Sequence, residues 1–202
     1  MEKEKKHIQG FTLVELMVTF ALLSIFITAA SVLIVSTARV YYEARGTGDS
    51  YRVSEILFDQ IAGELERAEP AAFEDEDGKQ VSMYLYQDAV EYVDEAGRSA
   101  RMGLYEQDGA QYLEIAYARD DTGDSYRTGW RFDEKTYMGF YLKSLQISKA
   151  SGDYLDNVLR VDLTLYSSKY GEYSFTRYIS CYRFGEEDAA GIVETHHTSN
   201  EI

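Results

Sequence analysis

From Phe11 to Ala38 the chain is an apolar run, FTLVELMVTFALLSIFITAASVLIVSTA, with one charge, Glu15, and no proline or glycine. About 20 apolar residues suffice to cross a bilayer as a helix. In lipid the backbone must satisfy its own hydrogen bonds, so a single crossing segment must be helical. The pattern therefore predicts a transmembrane helix over residues 11–38. Thr12, Thr19, Ser24, Thr28 and Ser31 are compatible with it if their hydroxyls bond back to carbonyls one turn earlier. Beyond Arg39 the run becomes amphipathic. Val53, Ile56, Leu57, Ile61, Leu65 and Ala68 recur at steps of three and four, which is helical spacing. Gly46 and Gly48 are expected to bend or break this helix, because glycine disfavours helix interiors. Asp49 or Ser50 is then the expected N-cap of its second part. Pro70 closes the helix, since the residue before a proline is pushed out of the α region.

After an acidic loop at 71–80 the period changes to two. Val81, Met83 and Leu85 face one way, Ser82, Tyr84 and Tyr86 the other. Leu113, Ile115 and Tyr117 repeat the alternation, as do Leu145 and Ile147. Leu159, Val161, Leu163 and Leu165 alternate with Arg160, Asp162 and Thr164. The run from Tyr173 to Phe184 is strand-like with weaker alternation. Turn signals separate these runs at Asp108-Gly109, Thr122-Gly123-Asp124, Ser151-Gly152-Asp153 and Tyr170-Gly171. The fold class that follows is α+β, a long N-terminal helix packed on a C-terminal antiparallel β-sheet with one buried face. The expected divisions are a leader at 1–10, the transmembrane helix at 11–38, its amphipathic continuation at 39–70, a β-rich globular domain at 71–184 and a flexible acidic tail at 185–202.

Charge sharpens this picture. The 202-residue chain carries a formal net charge of −15. Lys3, Lys5 and Lys6 outweigh Glu2 and Glu4 by one, which Glu15 cancels, so the whole excess lies beyond residue 38. A polyanionic domain argues against nucleic acid as the main partner, because phosphate binding needs concentrated Lys and Arg. A single cysteine, Cys181, excludes an intramolecular disulfide. Its strand-like surroundings suggest a packed thiol rather than a reactive one.

No enzyme signature emerges, and no catalytic residue, metal site or cofactor is expected. The three histidines are His7, in the leader, and His196 and His197, in the tail, so no Ser-His or Cys-His pair is available to the folded part. The loop Glu74–Gly78 resembles an EF-hand fragment, yet Phe73 stands at the first ligand position and Tyr84 at that of the closing glutamate. Asp120, Asp121 and Asp124 form a second acidic loop without a matching motif. The 18 tyrosines fit half-buried pleated surfaces, or an exposed aromatic face for docking.

Two features distinguish the apolar run from an ordinary anchor: Gly10 stands immediately before it, after a short Lys-rich leader, and Glu15 lies inside it. A carboxylate in an apolar zone is a functional hypothesis that needs a partner. A secretory signal would have a core of about 7–15 residues; Ala29, Ala30 and Ser31 imitate its cleavage site, but the core before them is too long. Gly10-Phe11-Thr12-Leu13-Val14-Glu15-Leu16 resembles the processing motif of type IV prepilins and type II secretion pseudopilins, and Tyr51–Ala68 is weakly similar to the matching helix of minor pseudopilins. The resemblance implies a prepilin peptidase cutting between Gly10 and Phe11, N-methylation of Phe11, and a helix that enters a filament core. It implies as partners other pilins or pseudopilins, a membrane assembly platform and the lipid bilayer. Many members carry a proline in the second half of this helix; this chain has none. Cleavage would create an α-amino cation at Phe11, costly in an apolar bundle unless paired. Glu15 of a neighbouring subunit could pair with it and set axial register. The expected role is a structural subunit, minor pilin-like, in the cytoplasmic membrane with its C-terminal domain outside, then in a filament serving secretion, DNA uptake, motility or adhesion. The rival readings are a single-pass anchored extracytoplasmic binding module and a membrane-bound enzyme acting through carboxylates.

Overall fold

A computed structural model of the chain describes residues 12–75, 77–118, 126–150, 157–185 and 191–195. The chain separates at Arg45/Gly46 into two units. Helix α1, Leu13–Leu65, begins in the first and ends in the second.

In the first unit the described helix residues are exposed almost throughout. Leu13, Val14, Ile25, Phe26, Leu33 and Ile34 are each about two-thirds or more exposed, and the other large apolar residues of the run about half or more. This stretch is long and apolar enough to cross a membrane. Apart from Thr12, the polar side chains behave as expected: Thr19 Oγ1 donates to the Glu15 carbonyl (2.6 Å), Ser24 Oγ to Phe20 (2.8 Å), Thr28 Oγ1 to Ser24 (2.8 Å) and Ser31 Oγ to Ile27 (2.8 Å). Each hydroxyl is thus satisfied without water.

In the second unit the end of α1 seats a sheet. Its buried residues are Gly46, Ser50, Val53, Ser54, Leu57, Phe58, Ile61 and Leu65, which reproduces the predicted stripe apart from half-buried Ile56. The expected break at the glycines is absent: the helix runs through both. Gly46 is buried, and a Cβ there would meet Tyr173 Oη at 2.7 Å and Tyr170 Cβ at 2.9 Å, whereas Gly48 faces open space. Gly46 is therefore a close-approach position. Ser50 is correspondingly not an N-cap; its hydroxyl donates to the Thr47 carbonyl at 3.0 Å, inside the helix. The helix ends at Leu65, ahead of the expected close at Pro70. Arg67 N bonds Glu64 O and Ala68 N bonds Leu65 O, both at 3.4 Å, so the last residues tighten into i→i+3 turns. Ala68 remains in the core.

Eleven strands follow among the described residues. β1 (Phe73–Glu74) and β2 (Gln80–Val81) form a small hairpin. The main sheet contains β3 (Met83–Leu85), β4 (Ala89–Val93), β5 (Ser99–Gln107), β6 (Ala110–Ala118), β7 (Tyr126–Arg131), β8 (Tyr141–Lys149), β9 (Val158–Ser167), β10 (Gly171–Ser180) and β11 (Ile192–Glu194). Its order is β10-β9-β8-β6-β5-β4-β3-β11, with β7 branching from β6. The β9 residues alternate as predicted, with Leu159, Val161, Leu163 and Leu165 buried. Met83, Leu85, Leu113, Ile115, Leu145 and Ile147 join them against Val53, Leu57, Ile61 and Leu65 in one core. The arrangement is α+β, an apolar N-terminal helix followed by a largely antiparallel sheet.

The antiparallel-dominated sheet includes one parallel pair, β11 with β3, Ile192 opposite Met83. One expectation needs correction: 185–202 is not all tail, because it supplies that strand; Thr195 N extends the pairing to Leu85 O at 2.7 Å. The reason is physical: without β11, β3 would present unpaired backbone groups beside the core, and buried Ile192 adds apolar contact there. The expected strand 81–85 is also split at Ser82, whose N–H donates to Gly191 O and whose hydroxyl accepts from Ala71 N, both at 2.9 Å.

Polar ties join helix and sheet within this unit. Arg177 on β10 reaches Asp59 (2.7 Å) and Glu55 (3.0 Å), with its guanidinium 5.3 Å from the Phe58 ring centre. Glu64 accepts from Tyr92 Oη (3.0 Å) and Tyr117 Oη (3.4 Å). Burial and the nearby Glu64 charge push the Tyr92 phenol far above its usual pKa.

Candidate functional site

The first turn of α1 is the one place where a carboxylate sits inside the apolar run. Thr12 precedes the helix, and its carbonyl accepts from Leu16 N at 3.2 Å, as an N-cap residue's does. Glu15 then bends back. Its Oε2 accepts from both Thr12 N and Thr12 Oγ1 at 2.9 Å, while Glu15 N donates to Thr12 Oγ1 at 3.3 Å. This is a capping box, Thr-x-x-Glu, with each side chain satisfying the other residue's backbone N–H. A negative charge in the first turn is also favoured by the helix dipole.

Thr12 had been expected to bond back along the helix; instead it orients Glu15. The missed signal was in the spacing, since Thr three residues before Glu at the start of an apolar run is the capping-box pattern. Among the described residues Glu15 Oε1 takes no hydrogen bond. The carboxylate is thus held in place by one oxygen and presents the other. An oriented, half-satisfied carboxylate beside an apolar surface suits a cationic nitrogen. Gly10 and Phe11, where processing and N-methylation are expected, lie outside the described residues.

The other candidate sites resolve differently. In the β1–β2 hairpin Asp75 Oδ1 accepts from Asp77 N (3.0 Å) and Lys79 N (2.8 Å), and Gly78 takes a positive φ of 75°. Asp75 is thereby committed to shaping the turn. Among the described residues no group of three or more His, Cys, Asp or Glu is placed to hold a metal ion. Asp120, Asp121, Asp124, His7, His196 and His197 lie outside them. Cys181 follows β10, fully buried, with its N–H on Asn157 O. Burial, then the Glu66 charge, pushes its thiol up to about 12, which makes it a packing residue.

Residues 5–31 match the family model described as the prokaryotic N-terminal methylation motif, the type IV pilin and pseudopilin signature. The signature, together with the single apolar N-terminal helix, indicates a type IV pilin- or pseudopilin-like precursor over this segment and fits a membrane-anchored protein. The motif implies processing by a prepilin peptidase and assembly with other pilins. No curated protein and no solved structure matches the chain.

Proposed function

We propose that this chain is the precursor of a non-enzymatic structural subunit, minor pilin-like, of a type IV pilus or pseudopilus. Prepilin peptidase removes the leader between Gly10 and Phe11, and the new terminal Phe11 is N-methylated. The helix then leaves the bilayer and packs among related helices. The β-rich domain stands on the extracytoplasmic side, consistent with the Lys-rich leader staying inside. Heterologous contacts that do not close into a ring build a filament.

One observation carries this reading. Within the matched motif, Thr12 pins one oxygen of Glu15 and leaves the other to accept a cation. The α-amino group of a neighbouring subunit's Phe11 is such a cation. Pairing offsets the burial cost of both charges and selects one axial register.

The test is the intact mass and N-terminal sequence of the protein from membranes of its native host. A methylated Phe11 terminus supports the proposal. A terminus at Met1 or Glu2, with the peptidase present and active, overturns it and leaves a single-pass anchored binding module.

A further inference from the structure

We infer that Tyr41 and Tyr42, flanked by Arg39 and Arg45, form a belt that seats in the phospholipid headgroup layer and fixes how deep the helix lies. This rests on the reading of the helix as a membrane anchor in the precursor.

The apolar run does not set its own depth. From Leu13 to Ala38 it measures about 39 Å at about 1.5 Å per residue, against a hydrocarbon core of roughly 30 Å. A span longer than the core can slide or tilt at small cost, so something beyond apolarity must choose a position. At the end away from Glu15 the run stops in Arg39-Val40-Tyr41-Tyr42-Glu43-Ala44-Arg45. Both rings are held outward, Tyr41 57% and Tyr42 50% exposed. They meet edge to face, centres 5.8 Å apart at 70°, and Arg45 Nη1 donates to Tyr41 Oη at 3.4 Å. A tyrosine ring is apolar with a polar tip, and arginine suits phosphate. The chemistry of this belt is that of a phospholipid headgroup layer.

The spacing supports the assignment. Glu15 and Tyr41 are about 39 Å apart along the helix axis. That exceeds the hydrocarbon thickness and falls within the roughly 40–45 Å of the bilayer with its headgroups. With the belt in one headgroup layer, Glu15 and its Thr12 partner stand in the other. There the carboxylate avoids most of the cost that an acidic residue carries at a bilayer centre.

The test uses the full-length precursor in phosphatidylethanolamine–phosphatidylglycerol vesicles, with a nitroxide on Leu16→Cys. Buried Cys181 stays unlabelled under native conditions. Depth is read from oxygen and nickel-chelate collision rates. Tyr41→Leu/Tyr42→Leu adds two apolar positions and should move the label about 3 Å towards the aqueous phase on the leader side. Tyr41→Ser/Tyr42→Ser should move it a similar distance towards the bilayer centre. Equal depth in all three proteins, or shifts of the same sign, overturns the belt while leaving the anchor intact. A label that reads as aqueous in every protein overturns the anchor as well.

Discussion

Gly46 and Gly48 sit two residues apart in one helix, and alanine substitution should affect them with opposite signs. By helix propensity alone each Gly→Ala change stabilises by about 1 kcal/mol. At Gly48 nothing lies within 4 Å of the new Cβ, so most of that gain should appear. At Gly46 the Cβ would stand 2.7 Å from Tyr173 Oη, 2.9 Å from Tyr170 Cβ and 3.0 Å from Tyr170 Cδ1. The Tyr173 hydroxyl is the far end of a long side chain and can give way. Tyr170 Cβ is tied to the backbone, and its ring stacks on Phe140 with centres 5.8 Å apart, so it cannot move alone. Overpacking of this kind costs about 1–3 kcal/mol. The net result for Gly46→Ala is a loss of about 1 kcal/mol, and the two variants should differ by about 2 kcal/mol. Urea unfolding of the detergent-solubilised chain, followed by the fluorescence of its single tryptophan, Trp130, reads this directly. Trp130 lies half-buried against the core. If Gly46→Ala raised the midpoint as much as Gly48→Ala, the close packing of helix on Tyr170 would be wrong.

Three further outcomes follow from the same structure. Tyr137 is buried and its hydroxyl accepts from Leu113 N at 2.9 Å, so Tyr137→Phe should cost about 1–3 kcal/mol by stranding that N–H. Burial raises its phenol to about 12; the unfolded chain therefore loses this proton first, and stability should fall between pH 10 and 12 by up to about 1.4 kcal/mol per pH unit. The gap between wild type and Tyr137→Phe should narrow over that range in pH-dependent urea titrations. Arg177→Met should cost about 1 kcal/mol in low salt and less in 1 M salt, because it removes exposed pairs and leaves Glu55 and Asp59 repelling one turn apart; a salt-independent loss would mean that packing on Phe58 dominates. Cys181 should resist maleimide in native buffer and react through the urea transition, and rapid native labelling would contradict its burial.

The sequence made some of this fold legible and hid the rest for identifiable reasons. The seat of α1 and strand β9 were readable because each has one apolar and one polar face. β4 was not, since Ala89, Val90, Tyr92 and Val93 are all buried and no alternation survives. In β5 the inward residues include Ala100 and Met102, too weak a contrast with Gly103 and Tyr105 to mark a strand. β11 is three residues in a polar stretch, and its partner β3 lies more than a hundred residues earlier, so no local pattern could reveal it. The two glycines were misread because propensity counts the missing side chain as a weakness, while Tyr170 and Tyr173 turn that absence at Gly46 into space for contact. At the candidate site, Glu15 was conspicuous as a charge among apolar residues; Thr12 was not, because a threonine excites no suspicion until its spacing from Glu15 is considered.

The parallel pairing of β11 with β3 has a consequence for the order in which this protein can be made. Chains are synthesised at about 5–20 residues per second, so Met83 emerges roughly 5–20 s before the Ile192 that will lie beside it. Throughout that interval the apolar helix is already complete while β3 waits with an open edge. The sheet is thus a structure whose first strand is closed last. A pulse-labelled chain should acquire protease resistance in its β-rich part only after residue 195 has been added, however early its N-terminus meets the membrane.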